Sequence, residues 1–179
     1  MINKKILIVG GSSGLGIHLT NLYFKNKYNV TTISRNPNLK LDKKIKQIIC
    51  DITNIDQLKE VLKKFKKEKI SFNVIIHNVG GSMKYYDYNA NRDKYRKVWE
   101  NNLGYLIEIN NFFIPYMKKK KWGRIVHVSS SASYNFSAPV AYSTAKAALN
   151  TYVKGIARRV IKDKIVVSCI CPGPIELPN

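Results

Sequence analysis

Acidic residues are scarce in this sequence. Its 179 residues hold 11 Asp and Glu against 31 Lys and Arg, a formal net charge of +20. Such an excess draws anions, whether nucleic acid, acidic lipid or phosphorylated ligands. The lysines are dispersed, however. In NIDQLKEVLKKFKKEKI, Ile55, Leu58, Leu62 and Phe65 keep helical spacing and lysines fill the other face, the pattern of a solvated amphipathic helix. The longest basic run, KKKKW at 118–122, reads as a turn after a helix. No zinc-finger, RNA-binding or helix-turn-helix pattern accompanies the charge, so nucleic acid is not the expected partner. Cysteine is sparse too. Cys50, Cys169 and Cys171 form an odd set without metal-ligand spacing, which fits a reducing cytoplasm. Cys169 and Cys171 point the same way from one strand, where buried thiols are expected. His18, His77 and His127 are well separated and none sits in a carboxylate-histidine pattern, so no metal is assigned. No apolar run approaches the ~20 residues of a membrane span. The apolar stretch of MINKKILIVGG is short and meets glycines rather than a cleavage site, so it reads as a strand and not a signal peptide. Repeats, linkers and low-complexity segments are lacking as well, and residues 1–179 read as one domain.

What is present is an alternation. KKILIVG, NVTTIS, IKQIIC, FNVIIHN, GRIVHVSS and KIVVSCIC read as six strands. Helices are expected after the first, through about Lys27, and after the third, from about Asn54. A long one is expected from near Asn89 to about Met117, and another over roughly Val140 to Ile161. Strands alternating with helices imply an α/β doubly wound parallel sheet with helices on both faces. Six strands match the dinucleotide-binding (Rossmann) order.

VGGSSGLG follows the first strand and opens a helix. Gly10, Gly14 and Gly16 let the backbone turn tightly and approach a pyrophosphate, which the helix N-terminus then faces with free amides. Three residues separate Gly10 from Gly14 and one separates Gly14 from Gly16. That spacing resembles the TGxxxGxG pattern of the short-chain dehydrogenase/reductase family, with Val9 in place of its threonine. Further segments follow in family order. HNVG at 77–80 is similar to NNAG, with His77 and Val79 as departures. Asn102 of NNLG lies thirteen residues before Pro115. GRIVHVSS carries the family serine at Ser130, YSTAK at 142–146 is the YxxxK motif, and CPGPI matches the PG motif after strand six.

The resemblance implies a catalytic set of Ser130, Tyr142, Lys146 and Asn102. Tyr142 and Lys146 are four apart on an expected helix and share a face. A phenol with an ordinary pKa of ~10 is a poor acid at neutral pH, and a neighbouring ammonium favours its ionised form. By resemblance Lys146 also bonds the nicotinamide ribose, Ser130 holds the substrate oxygen, and Asn102 supports a water linked to the lysine. Asn101 fits the spacing to Pro115 less well. The implied reaction is reversible hydride transfer between a carbonyl and a hydroxyl compound.

The resemblance places the cofactor on Gly10, Ser12, Ser13, Gly14, Leu15 and Gly16 of the first turn. It adds Arg35 after strand two, and Asp51 with Ile52 after strand three. Asn78 and Gly80 follow strand four. Tyr142, Lys146, Pro172, Gly173 and Ile175 close the site. Asp51 stands either beside the adenine or at the start of the next turn. Met83, Tyr85, Tyr86 and Tyr88 either line a substrate pocket or pack within their loop. Arg35, where an acidic residue would repel a 2′-phosphate, points to NADP(H) over NAD(H). The substrate class implied is a small carbonyl or alcohol compound; EINNFFIPYMKKKKWGRIVHVSS is similar to a branch associated with sugar metabolism. A homo-oligomer built on the helices starting near Asn89 and Val140 is also implied. Family members continue past the PG motif into a lid and a seventh strand, so the chain is expected to be C-terminally truncated relative to them, with strand six an open edge. Leu177 stands where the family often has a nicotinamide-binding threonine. Two other readings remain open at this point: a dinucleotide-binding fragment or regulatory protein with weak turnover, and a basic nucleic-acid-binding protein.

Overall fold

The computed structural model describes residues 4–135 and 138–176. Leu177 lies outside the described residues. Six parallel strands form one sheet in the order β3-β2-β1-β4-β5-β6. They are β1 (Lys5–Val9), β2 (Asn29–Ser34), β3 (Lys46–Ile49), β4 (Val74–His77), β5 (Gly123–Val128) and β6 (Ile165–Ile170). β1 pairs with β2 on one side and with β4 on the other, so the strand order reverses beside β1. In such sheets the crevice at that reversal, outside the carboxyl ends of the strands, is where ligands bind.

The central strands read as unbroken apolar runs because both their faces are covered. Alternation splits their side chains between two cores. Leu7 and Val9 join Ile33, Ile75 and Ile125 on one face, whereas Ile6, Ile8, Val30 and Ile76 enter the other. The first face is covered by α2 (Ile55–Lys67), α4 (Tyr105–Lys120) and α6 (Val140–Val160) through Leu58, Phe65, Ile109, Phe113, Leu149 and Val153. The second is covered by α1 (Gly14–Lys25) and by Leu41 and Ile45, because the connection between β2 and β3 carries no helix. On β6 the outward residues Val166 and Ile170 stay exposed. Among the described residues β6 pairs with β5 alone.

The expected helix from Asn89 to Met117 differs in detail. α3 (Arg92–Trp99) starts at an Asn91 cap, whose side chain accepts the Lys94 N–H. It passes through one π-helical turn, Glu100–Gly104, into α4. α4 runs on through Lys120, so Lys118–Lys120 belong to its last turn rather than to a loop. Cations there complement the negative end of the helix dipole. The left-handed Lys121 ends the helix. A short α5 (Ala132–Asn135) follows β5.

Candidate active site

All strand carboxyl ends open on one cavity of about 760 Å³. Its floor is the turn between β1 and α1. Gly10 and Gly14 have φ of 84° and 52°, a left-handed backbone that glycine adopts without strain. A Cβ on Gly10 would lie 2.6 Å from the Val79 side chain, and one on Gly16 would overlap the Gly10 carbonyl. The glycines therefore serve two ends: Gly10 and Gly14 line the cavity with Ser12, Ser13 and Leu15, while Gly16 is buried beneath, packing helix on turn. Ser13 caps α1 without a side-chain hydrogen bond, so the first amides of the helix face the cavity uncapped. Asn78 pins the turn by donating to the Gly10 carbonyl at 3.2 Å. Asn38, which no motif marks, holds it from the other side. Its amide donates to the Ser12 carbonyl at 2.7 Å, and its backbone exchanges two hydrogen bonds with the Gln47 side chain.

Arg35, Asp51, Ile52 and Gly80 line the same cavity. Asp51 also starts a turn, accepting from the Thr53 amide and hydroxyl at 3.0 and 2.7 Å. The Ser34 hydroxyl, at the end of β2, is buried with no partner among the described residues. Of the loop aromatics and Met83, only Met83 reaches the cavity. Tyr85 packs instead in a small cluster with Val98, Tyr95, Ala145 and Tyr142.

Ser130 and Tyr142 line the opposite wall, and Pro172, Gly173 and Ile175 complete it. Lys146 does not reach the surface. One turn beyond Tyr142 on α6, it is 2 % exposed and runs behind the wall. Its ammonium donates to the Val128 carbonyl at 2.9 Å and sits 5.6 Å from the centre of the Tyr142 ring. Burial pushes this ammonium down to about 8. Asn102 is likewise buried, in the π-helical turn. It exchanges two hydrogen bonds with the Gly81 backbone, at 3.0 and 2.9 Å, and donates to the Val98 carbonyl at 2.7 Å. Of the two neighbouring asparagines it is Asn101 that lines the cavity. Gly80 is wedged between these groups: a Cβ there would lie 2.6 Å from the Asn102 oxygen and 2.7 Å from the Lys146 nitrogen.

Two histidines far apart in sequence are not apart in space. His77 ends β4 and pairs in register with His127, the last residue but one of β5, and their rings stack at 4.8 Å. Asn110 bridges them, 3.0 Å from one Nε2 and 3.1 Å from the other, and also donates to the Tyr152 hydroxyl. Burial lowers His77 well below the usual histidine range and His127 to about 4, with Lys146 adding to the latter. The signal in the sequence was their shared place at the ends of adjacent strands; it required knowing the strand order.

The family model for short chain dehydrogenases matches residues 4–179. The chain belongs to the short chain dehydrogenase family. It is 25% identical over 187 residues to a 3-oxoacyl-(acyl-carrier-protein) reductase of Chlamydia muridarum, covering 98% of this chain and 75% of that protein. The corresponding reductase of Thermotoga maritima is 26% identical over 186 residues, with the same coverage. A family structure from Leptospira borgpetersenii with bound NAD+ superposes with a TM-score of 0.89 at 23% identity, over 98% of this chain and 73% of that one. ElxO with NADP bound superposes at 0.86 and 24% identity, over 98% and 75%. Among the described residues no helix is long and apolar enough to cross a membrane.

Proposed function

We propose that this chain is a nicotinamide-dependent oxidoreductase that interconverts a carbonyl and a hydroxyl group, with NADP(H) preferred. One observation carries this reading: a single cavity joins the glycine turn at the start of α1 to Ser130 and Tyr142. The residues present fit a dinucleotide. Glycines leave room for a diphosphate, uncapped α1 amides face it, and the unpartnered Ser34 hydroxyl stands beside Arg35 where a ribose or its phosphate would lie. When bound, the cofactor supplies or accepts the hydride.

The chain's own residues supply the rest. Tyr142 faces the cavity and gives its hydroxyl proton to the substrate oxygen. The Lys146 ammonium behind the ring favours the negative charge that develops as the proton leaves. Ser130 accepts the Ala132 N–H at 3.2 Å, which leaves its own proton to bond the substrate oxygen. Asn102 has its amide committed to Gly81 and Val98, so it acts by positioning the Gly80–Gly81 turn against Lys146. The curated relatives are named as reductases of a 3-oxoacyl group, a ketone, which supports a carbonyl substrate here.

Self-association through α3 and α6 is part of the proposal. Trp99 and Val140 are exposed there, and Tyr95, Trp99 and Thr144 border a shallow apolar depression between the helices. The test of the enzymatic reading is NADPH oxidation against a panel of ketones and aldehydes. Tyr142→Phe is expected to abolish turnover, by about 10³-fold or more for loss of a proton donor, with NADPH affinity retained. Normal rates in that variant overturn the tyrosine mechanism.

A further inference from the structure

Two of the three cysteines meet. Cys169 lies near the end of β6 and Cys171 just past it, so an extended chain turns both side chains to the same face. That face looks toward α6. Both thiols are half-buried rather than sealed in the core, and both approach one atom, the Asn150 carbonyl oxygen, at 3.6 and 3.8 Å. The third cysteine, Cys50, is buried elsewhere, at the end of β3.

Asn150 does not end the chain of contacts. Its amide donates to the Ser133 hydroxyl at 2.8 Å, which donates to the Ser130 carbonyl at 2.7 Å. On the backbone side, the Ser129 amide bonds the Ile170 carbonyl and the Ser131 amide bonds the Pro172 carbonyl, each at 2.8 Å. Cys171 is thus the residue between two tethers that hold the Pro172–Gly173 wall against the Ser130 loop.

We propose that Cys169 and Cys171 form an oxidisable dithiol, converted by a peroxide to an intramolecular disulfide that loosens the Ser130 wall of the cavity. The Cys171 thiolate attacks one peroxide oxygen; the S–O bond forms, the O–O bond breaks, and the leaving oxygen takes a proton as water or alcohol. The Cys169 sulfur then attacks the Cys171 sulfur; the S–S bond forms, the S–O bond breaks, and hydroxide leaves with the Cys169 proton as a second water. Two thiols lose two electrons to one peroxide. The order follows from position: Cys171 lies beyond the last ladder pair and is the less constrained thiol, whereas Cys169 is held in the ladder.

The structural consequence follows from reach. Residues two apart in a strand are roughly 6.6 Å apart at Cα, close to the upper limit of about 6.8 Å that a disulfide spans. Cys169 is fixed in the ladder opposite His127. Cys171 lies beyond the last ladder pair, Val128 with Ile170, so Cys171 is the residue that moves. Its movement strains the Ser131–Pro172 tether and removes both thiols from Asn150.

The dithiol itself does not depend on the cofactor reading; the effect on binding does. The fully reduced chain is treated with a few equivalents of hydrogen peroxide. Peptide mass mapping locates the bond, hydrogen exchange follows segments 129–133 and 170–176, and NADPH affinity is measured before and after. The expected result is a Cys169–Cys171 disulfide with Cys50 still a thiol, faster exchange at Ser131, and affinity about fivefold weaker, the effect of one hydrogen bond. A dithiol reductant reverses all three. Cys171→Ser is expected to keep the reduced-state affinity and lose the response. Sulfinic acid or intermolecular disulfides in place of the intramolecular bond overturn the proposal, as does a disulfide that leaves exchange and affinity unchanged. If the reduced chain binds no NADPH, it is the cofactor reading that fails, and mass and exchange alone then decide the dithiol.

Discussion

The Lys146 ammonium is tethered 2.9 Å from the Val128 carbonyl and lies 5.6 Å from the centre of the Tyr142 ring. One buried cation thereby links the end of β5 to the wall of the cavity. Its side chain is 2 % exposed, and burial opposes its charge. Because its folded value, about 8, lies below its ordinary 10.5, the folded chain holds fewer protons between those limits. Stability linked to this group therefore rises as pH climbs from 8 toward 10.5. Lys146→Met is expected to abolish turnover. Its stability advantage over the parent should shrink by up to about 3 kcal/mol between pH 7.5 and 10.5, read as the difference in urea unfolding. A constant difference across that range contradicts the charged, buried lysine.

Gly80 has no room for a methyl group. A Cβ there meets Asn102 at 2.6 Å and Lys146 at 2.7 Å, both polar ends of side chains fixed by other bonds. Gly80→Ala should displace the lysine while leaving the sheet intact. We expect kcat/KM to fall by about 10²-fold, the cost of a misplaced catalytic group, with a circular dichroism spectrum like that of the parent.

The stacked pair His77 and His127 makes the fold acid-sensitive. Both values are lowered in the folded chain, so protons bind preferentially to the unfolded chain as pH drops below 6.5. For His127, lowered to about 4, the stability lost between pH 7.5 and pH 5 is about 2 kcal/mol. His127→Gln should flatten that loss in urea titrations at the two pH values. An unchanged slope contradicts a neutral buried imidazole.

Arg35 lines the cavity beside the unpartnered Ser34 hydroxyl. Arg35→Glu is expected to weaken NADPH binding by about tenfold or more, by replacing an attraction to phosphate with a repulsion. NADH affinity should be unchanged or improved. Fluorescence titration of both cofactors reads this directly, and tighter binding of NADH by the parent chain reverses the assignment.

Trp99, on α3, is 39% exposed beside Thr144 of α6. Trp99→Glu should shift light scattering toward the monomer mass at micromolar concentration, since a charge facing a second copy is desolvated without a partner. A parent chain that is monomeric at high micromolar concentration removes this part of the proposal.

Local chemistry made much of the molecule readable in one dimension. Glycines at 10, 14 and 16 mark a turn because the requirement is a positive φ or the absence of a Cβ, and both are properties of single residues. Six largely apolar runs mark the strands of a parallel sheet, and Tyr142 with Lys146 share a helix face by spacing alone. Tertiary structure decided what depends on which strand lies beside which. His77 and His127, fifty residues apart, stack because β4 and β5 are neighbours in register. Asn38 reaches Ser12 across a loop that no periodicity describes. The division of labour between Asn101 and Asn102 follows from their adjacent places in the Glu100–Gly104 turn, where successive side chains point in different directions: Asn101 lines the cavity and Asn102 is buried. Spacing along a chain cannot report such rotations, because burial of a polar side chain is settled by the partners that the rest of the fold brings to it.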